Sequence, residues 1–528
     1  MPALTIGVSA GRCCSDRENR RIGFAGPQPM RGMHMQIAKQ GAERLVGFPI
    51  KILSTERQHA VPSEGLTDGL QVARLQVIQV DAGHVGSEVR GQWPDIDGHV
   101  RHGTRREGFM PVYRQQTPQP INPWLAYHRS NWPTNRTCLK QGSATMTYAG
   151  DRLILDADSH LMELPDYLSA WADPGIRHRL PDLKAALTGQ FDPDTYAGLQ
   201  GHPPERVQQL VALGDQLTRG PKWHDALGAF NGRERGLALD LLGFRRQVVF
   251  SSFCARLIFA AVDDDVAYGA ATAQNRAMAD FCQPDSRLIG VAMVPLQDPV
   301  RALAEIERVK QLGLGAVWIA ADAPGGRSPG HPDLDRIWAT LADAGLPFIL
   351  HVGSAPLAIG DDWMNDGKPD TVSARGGAEV IGSKDLTVIH FASQRFVSAM
   401  VLDGVFEAHR GLRGGVIEIG AGWVPDMIRR LDHAVDIWAR SEPQLAKMTR
   451  KPSQQINEQM RFTPYPFENV AQLVSESSPD LYLFSSDYPH AEGGRDPLGR
   501  FSNAVAVLPA ADQEKFFSGN FRTLYPQG

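Results

Sequence analysis

Residues 288–354 read LIGVAMVPLQDPVRALAEIERVKQLGLGAVWIAADAPGGRSPGHPDLDRIWATLADAGLPFILHVGS, and this stretch decides the fold. Three apolar runs rich in β-branched residues, Leu288–Met293, Ala316–Ile319 and Pro347–His351, are separated by two amphipathic segments, Pro299–Leu312 and Leu334–Ala344. The second segment is closed by Gly345-Leu346-Pro347, a helix stop. Short apolar strands alternating with crossover helices make parallel βα units. Working outward, the same alternation predicts strands at Leu153–Ala157 and Gln247–Ser251 upstream. Downstream it predicts Leu386–His390, Gly415–Ile419 and Leu481–Ser485. Eight such strands favour a closed (β/α)8 barrel of the TIM-barrel α/β class over an open doubly wound sheet. The long stretch Trp171–Arg245 predicts an inserted helical segment after the first strand.

Residues 1–145 read differently. They carry 18 Lys and Arg against 11 Asp and Glu, whereas residues 146–528 carry 36 against 48, so the two parts are oppositely charged. Apolar residues in the first part keep no helical period, and 114–142 is rich in Gln, Pro, Asn and Arg, a composition of loops or disorder. We expect 1–145 to be a disordered extension, or sequence outside the native protein, and 146–528 to be the functional domain. Met146 leads directly into the first strand. A net charge of −5, with no basic cluster interleaved with aromatics, argues against nucleic acid as a partner. No apolar run has membrane-spanning length and the N-terminus lacks a signal-peptide core, so no membrane partner is expected. Five cysteines, two of them adjacent and none with zinc-ligand spacing, imply no disulfide framework and a cytoplasmic location.

In such a barrel the working residues stand at the carboxyl ends of the strands. The first strand runs into Asp158-Ser159-His160, with Glu163 just beyond. The fifth ends at His351, the sixth at His390, the seventh at Glu418, and the eighth runs into Asp487. A single histidine after an apolar run is more often a hydrogen-bonded core residue. Five strand ends carrying imidazole or carboxylate are a different matter, because burying them unpaired is costly. Convergence of these groups suits a divalent transition metal of the zinc, manganese or iron(II) kind; zinc or manganese is the expected cofactor. Asp158 and His160, two apart on an extended segment, point the same way. Glu163 is equally consistent with an extra ligand or with a carboxylate at a helix start. Glu418 reads as a group that orients a ligand or contacts substrate, and His490 as a substrate contact on the last loop.

The segments LDADSHLMELPDYL (155–168), NRAMADFCQPDSRLIGVAMVPLQDP (275–299), EIGAGWVPDMIRRLDH (418–433), SSDYPHAEG (485–493) and SGNFRTLY (518–525) together carry a resemblance. The chain resembles the amidohydrolase superfamily, in the amidohydrolase-related branch of aminocarboxymuconate-semialdehyde and γ-resorcylate-type decarboxylases. The resemblance implies that Asp158, His160, His351 and Asp487 are metal ligands. It also makes Asp487 and His390 catalytic, with His390 the sixth-strand histidine beside the substrate. There are departures: Asp158 stands where relatives often have histidine, and Val352-Gly353-Ser354 follows His351 where His-Pro is usual. The fourth strand, ending Trp318-Ile319-Ala320, has no lysine for a carbamate bridge, so one metal is expected. The activity implied is non-oxidative decarboxylation of a small aromatic or enol-like carboxylic acid. Metal-dependent hydrolysis of an amide, ester or lactone is the alternative, and a catalytically inactive binding barrel a remote one. A small-molecule substrate and a homodimeric or homotetrameric assembly are expected.

Overall fold

The computed structural model describes residues 146–184, 193–354, 359–368 and 381–526. The disordered extension expected over 1–145 lies outside the described residues. Eight short strands form one parallel sheet: β1 (Leu155–Asp156), β2 (His160–Leu161), β3 (Arg246–Ser251), β4 (Leu288–Met293), β5 (Ala316–Trp318), β6 (Phe348–His351), β7 (Gly414–Ile417) and β8 (Met460–Phe462). Their order is β1-β3-β4-β5-β6-β7-β8, with β2 continuing the first strand and pairing β3. The segment 481–488 closes the ring through backbone hydrogen bonds to both neighbours. On one side the Phe462 N–H donates to the Leu481 carbonyl at 2.8 Å, and Leu483 N–H to Phe462 at 3.0 Å. On the other, Ala157 N–H donates to the Phe484 carbonyl at 3.0 Å and Asp487 N–H to Asp158 at 2.9 Å. The barrel therefore has eight positions, with 481–488 as the eighth.

The βα units form for local reasons. In β4 all six residues are buried, as expected of a strand covered on both faces. Asp298 caps the next helix, Pro299–Leu312, by accepting the N–H groups of Val300 and Arg301, and Gly313 ends it at φ 71°. Pro332–Ala344 repeats the pattern and stops at Gly345 (φ 62°). The expected insertion is present, with helices at Tyr167–Trp171, Pro204–Val211 and Gly232–Leu242.

One predicted strand is not there. β6 pairs directly with β7, from Phe348↔Gly414 to His351↔Ile417, which leaves no place for Leu386–His390 between them. Ser383–Leu386 is instead a short helix, 387–390 is a turn, and His390 precedes the helix Phe391–Leu402. Only Ile389 of that run is buried, while Leu386 is 43% exposed, so it lacks the two covered faces a barrel strand requires. The strand that sequence missed is β8. Its three residues have a charged centre, Arg461, which is buried because its guanidinium donates to the Asn457 and Met460 carbonyls. With this exchange Glu418 follows the sixth barrel strand, not the seventh.

Candidate metal centre

Asp158, His160, His351, Glu418, Asp487 and His490 meet at the carboxyl end of the barrel. The His160 Nε2 lies 3.4 Å from Asp158 Oδ1, 3.5 Å from Glu418 Oε2 and 3.5 Å from Asp487 Oδ1. The His351 Nε2 lies 3.5 Å from Asp158 Oδ1 and 3.3 Å from Glu418 Oε2. The His490 Nδ1 is 3.1 Å from Asp487 Oδ1. Two overlapping sets with metal-ligand spacing result: Asp158, His160, His351 and Glu418, and His160, Glu418, Asp487 and His490. Asp158 Oδ1, His160 Nε2, His351 Nε2, Asp487 Oδ1 and His490 Nδ1 are all buried with no hydrogen-bond partner. Each such atom costs about 1–3 kcal/mol if left unsatisfied. Donors roughly 2.0–2.2 Å from one ion stand roughly 3.0–3.5 Å apart, so the residues fit a divalent cation.

The imidazoles are set from behind. The Nδ1 of His160 faces the Ser251 carbonyl at 3.3 Å, and that of His351 faces the Val352 carbonyl at 3.0 Å. A carbonyl only accepts, so both Nδ1 atoms carry a proton, and both Nε2 atoms face inward, where they would meet a cation. The last loop is set from below. Asp156 accepts the Ser486 N–H at 2.8 Å and its hydroxyl at 2.6 Å, which fixes the residue before Asp487. Glu418 (φ 55°), Asp487 (φ 53°) and Trp223 (φ 58°), whose ring lies 4.8 Å from that of His490, are the positive-φ non-glycine residues among those described. Such backbone strain concentrates where a site, not the fold, dictates the conformation.

Electrostatics separates the carboxylates. Burial pushes the Asp158 carboxyl up, but His160 and His351 outweigh it and hold it well below the usual range. Burial pushes the Asp487 carboxyl up to about 7; the His160 charge opposes this and the Asp158 charge adds to it. Burial and the neighbouring His160 keep the His490 imidazole well below its usual value, hence neutral.

Two expected site residues are not brought into this ring. His390, off the strand end assumed for it, is half-buried in a turn with its ring stacked 5.6 Å from that of Trp423. The Glu163 carboxylate is consumed by the N–H groups of Ser252, Phe253 and Cys254, at 3.0–3.2 Å, just after β3. It holds the turn that carries Ser252. Sequence reading missed Phe250 and Trp318, whose rings pack 4.4 Å and 4.7 Å from His351. Both are inward positions of apolar strands, which look like core in any sequence pattern.

The family model for amidohydrolases matches residues 224–527. The chain belongs to the amidohydrolase family. The matched span of this amidohydrolase contains His351, Glu418, Asp487 and His490 and begins after Asp158 and His160. Among curated proteins it is similar to the γ-resorcylate decarboxylase of Rhizobium radiobacter, 28% identical over 264 residues, covering 48% of this chain and 74% of that protein. The γ-resorcylate decarboxylase of Rhodococcus jostii (strain RHA1) is likewise 28% identical, over 272 residues, with 48% and 74% covered. Among solved structures, an amidohydrolase from Mycobacterium avium subsp. paratuberculosis K-10 superposes with a TM-score of 0.57 at 22% identity, covering 71% of this chain and 99% of that one. That likeness shows a shared barrel fold.

Proposed function

We propose that this amidohydrolase is a metal-dependent, non-oxidative decarboxylase of a small aromatic hydroxy acid. The observation that carries the metal is the ring of buried, partnerless donor atoms of Asp158, His160, His351 and Asp487, with Glu418 in the same ring. Imidazole nitrogen mixed with carboxylate oxygen suits zinc or manganese. His160 stands in both ligand sets, and its Nε2 offers one lone pair, which supports a single ion. The reaction class rests on the similarity to γ-resorcylate decarboxylases.

When bound, the cation supplies positive charge to oxygens of the substrate and to the negative charge that develops as the carboxylate leaves. The chain's own groups do the rest. Asp487 is the carboxyl of the ring that burial pushes upward, and it is the group placed to carry a proton to the substrate at its carboxylate oxygen. The bond between the ring carbon and the carboxylate breaks, its electron pair stays on the ring carbon, and the Asp487 proton is delivered there as CO2 leaves. A proton from solvent then restores Asp487. Phe250 and Trp318 give the ring an aromatic wall beside His351. The buried Trp318 indole N–H has no partner among the described residues and is available to a substrate oxygen.

The catalytic unit is 146–528, acting in the cytoplasm on a small molecule as a homodimer or homotetramer. The free cysteines Cys254 and Cys282 suit a reducing compartment, and no helix of the described residues is long and apolar enough to cross a membrane. The test is metal analysis of the purified full chain, followed by product analysis with γ-resorcylate and other hydroxybenzoates. Near-stoichiometric zinc or manganese, with CO2 and the decarboxylated phenol as products, supports the reading. A metal-free protein, or a new acid with an amine or alcohol from amides or esters, overturns it. Expressed alone, 146–528 should keep the metal and the rate of the full chain; a metal-free fragment would reject that boundary.

A further inference from the structure

The His490 ring has one nitrogen accounted for and one not. Its Nε2 lies 2.8 Å from the Ser252 hydroxyl, which also lies 2.9 Å from the Leu161 carbonyl. A serine hydroxyl has a single proton and a carbonyl can only accept, so that proton goes to Leu161. Ser252 Oγ must then accept from His490, which puts the imidazole proton on Nε2. The Nδ1 lone pair is bare, buried and without a hydrogen-bond partner. It lies within metal-ligand spacing of His160, Glu418 and Asp487 and 3.1 Å from Asp487 Oδ1. Two acceptor atoms that close repel unless a cation or a proton lies between them. The ring is also clamped: it stacks 3.8 Å from the His160 ring at 19° on one contact and 4.8 Å from Trp223 on another.

From this geometry we infer that His490 is a metal ligand through Nδ1, reaching the ion that His160 and His351 approach through Nε2. This rests on the metal reading above. The contact through Ser252 is what commits Nδ1 to the ion: Glu163 fixes the Ser252 turn, Ser252 fixes the tautomer, and the tautomer exposes the lone pair.

The test compares His490→Ala, His490→Asn and His490→Gln in the full chain, reading manganese and cobalt affinity by chelator competition and the visible absorption of the cobalt-loaded proteins. The asparagine amide occupies the place of Nδ1, and the glutamine amide that of Nε2. Metal affinity in His490→Ala should fall by about 100-fold or more, at or beyond the upper end of what loss of an outer partner costs, and the cobalt bands should change as the ligand set changes. Asn should recover part of the affinity, and Gln should not. Recovery by Gln and not Asn would place the role at Ser252 and overturn the inference. So would an Ala variant with wild-type affinity and an unchanged cobalt spectrum, the outcome expected if a proton bridges His490 and Asp487. In that case wild type still binds metal and only this inference fails; a wild type that binds neither ion removes the metal reading with it.

Discussion

Two polar layers lie inside the barrel, one above the other, and they are built on opposite rules. The lower is centred on Asp156, two residues before Asp158 on the first strand and as fully buried. Asp156 accepts from Gln247 Nε2 at 2.8 Å and from the Ser486 N–H and hydroxyl. Gln247 Oε1 accepts from Arg235 Nη1 at 3.2 Å, and the Arg235 guanidinium also donates to the Gly228 and His160 carbonyls. In the upper layer the inward atoms of Asp158, His160, His351, Asp487 and His490 have no partner. Burial is equal in the two layers; satisfaction is not. A satisfied buried network rigidifies, while an unsatisfied one has a cost that only a ligand offsets. The lower layer thus reads as the mould and the upper as the site.

The largest effect that would sharpen this contrast is expected at Asp487. Asp487→Asn keeps the shape of the loop but removes the charge and the exchangeable acid. Loss of acid–base function costs about 100- to 10,000-fold in rate, and weaker metal binding adds to it. The measurement is turnover of the confirmed substrate with metal content read in parallel. A metal-replete variant within about tenfold of wild type would remove Asp487 from proton transfer.

The contrast also shows what a sequence can carry. The strand ends at His160, His351 and Asp487 were legible because an apolar β-branched run followed by one polar residue is a pattern in chain order. His390 has the same pattern in LTVIHF, yet the run is a helix and turn, since short apolar runs do not distinguish strand from helix. What settles it is the direct pairing of β6 with β7, a contact between distant residues. Arg461 hid β8 for the converse reason: one nitrogen of its buried guanidinium donates to local carbonyls that no periodicity reveals. Glu418 was noticed, but not its place in the ligand ring, which depends on a positive φ. The satisfied state of Glu163 likewise depends on three amides from β3's far end.

A middle-sized effect is expected from the lower layer. Asp156→Asn puts an amide NH2 where the site presents donors, so stability should fall by about 1–3 kcal/mol while the protein still takes up metal. The difference should depend on pH. Burial raises the folded Asp156 carboxyl from 3.8 to about 7, against the hydrogen bonds of Gln247 and Ser486. A raised carboxyl contributes stability that is fully present below the ordinary value and lost as pH rises through about 7. The asparagine variant lacks that contribution, so its deficit in Tm should narrow between pH 5 and pH 8. A deficit that is flat with pH would show that Asp156 is ionised throughout and that the layer is held by charge.

The smallest effect is expected at His390, and it decides whether the upper layer is complete without it. Burial lowers its imidazole pKa, so the ring is neutral at physiological pH and can neither neutralise a carboxylate by charge nor act as a strong acid. Its ring lies on Trp423, whose indole N–H donates to the Gly420 carbonyl at 2.9 Å, in the loop that also carries Glu418. A role through that stack would be one of shaping the mouth of the site. His390→Ala should therefore leave metal content unchanged and reduce turnover by less than about tenfold, short of what an acid–base group costs. His390→Phe, which keeps an aromatic ring on Trp423, should restore most of that loss. If His390→Ala instead lost 100-fold or more with full metal, and phenylalanine gave nothing back, the imidazole itself would be required. The ring of donors would then be only part of the catalytic machinery.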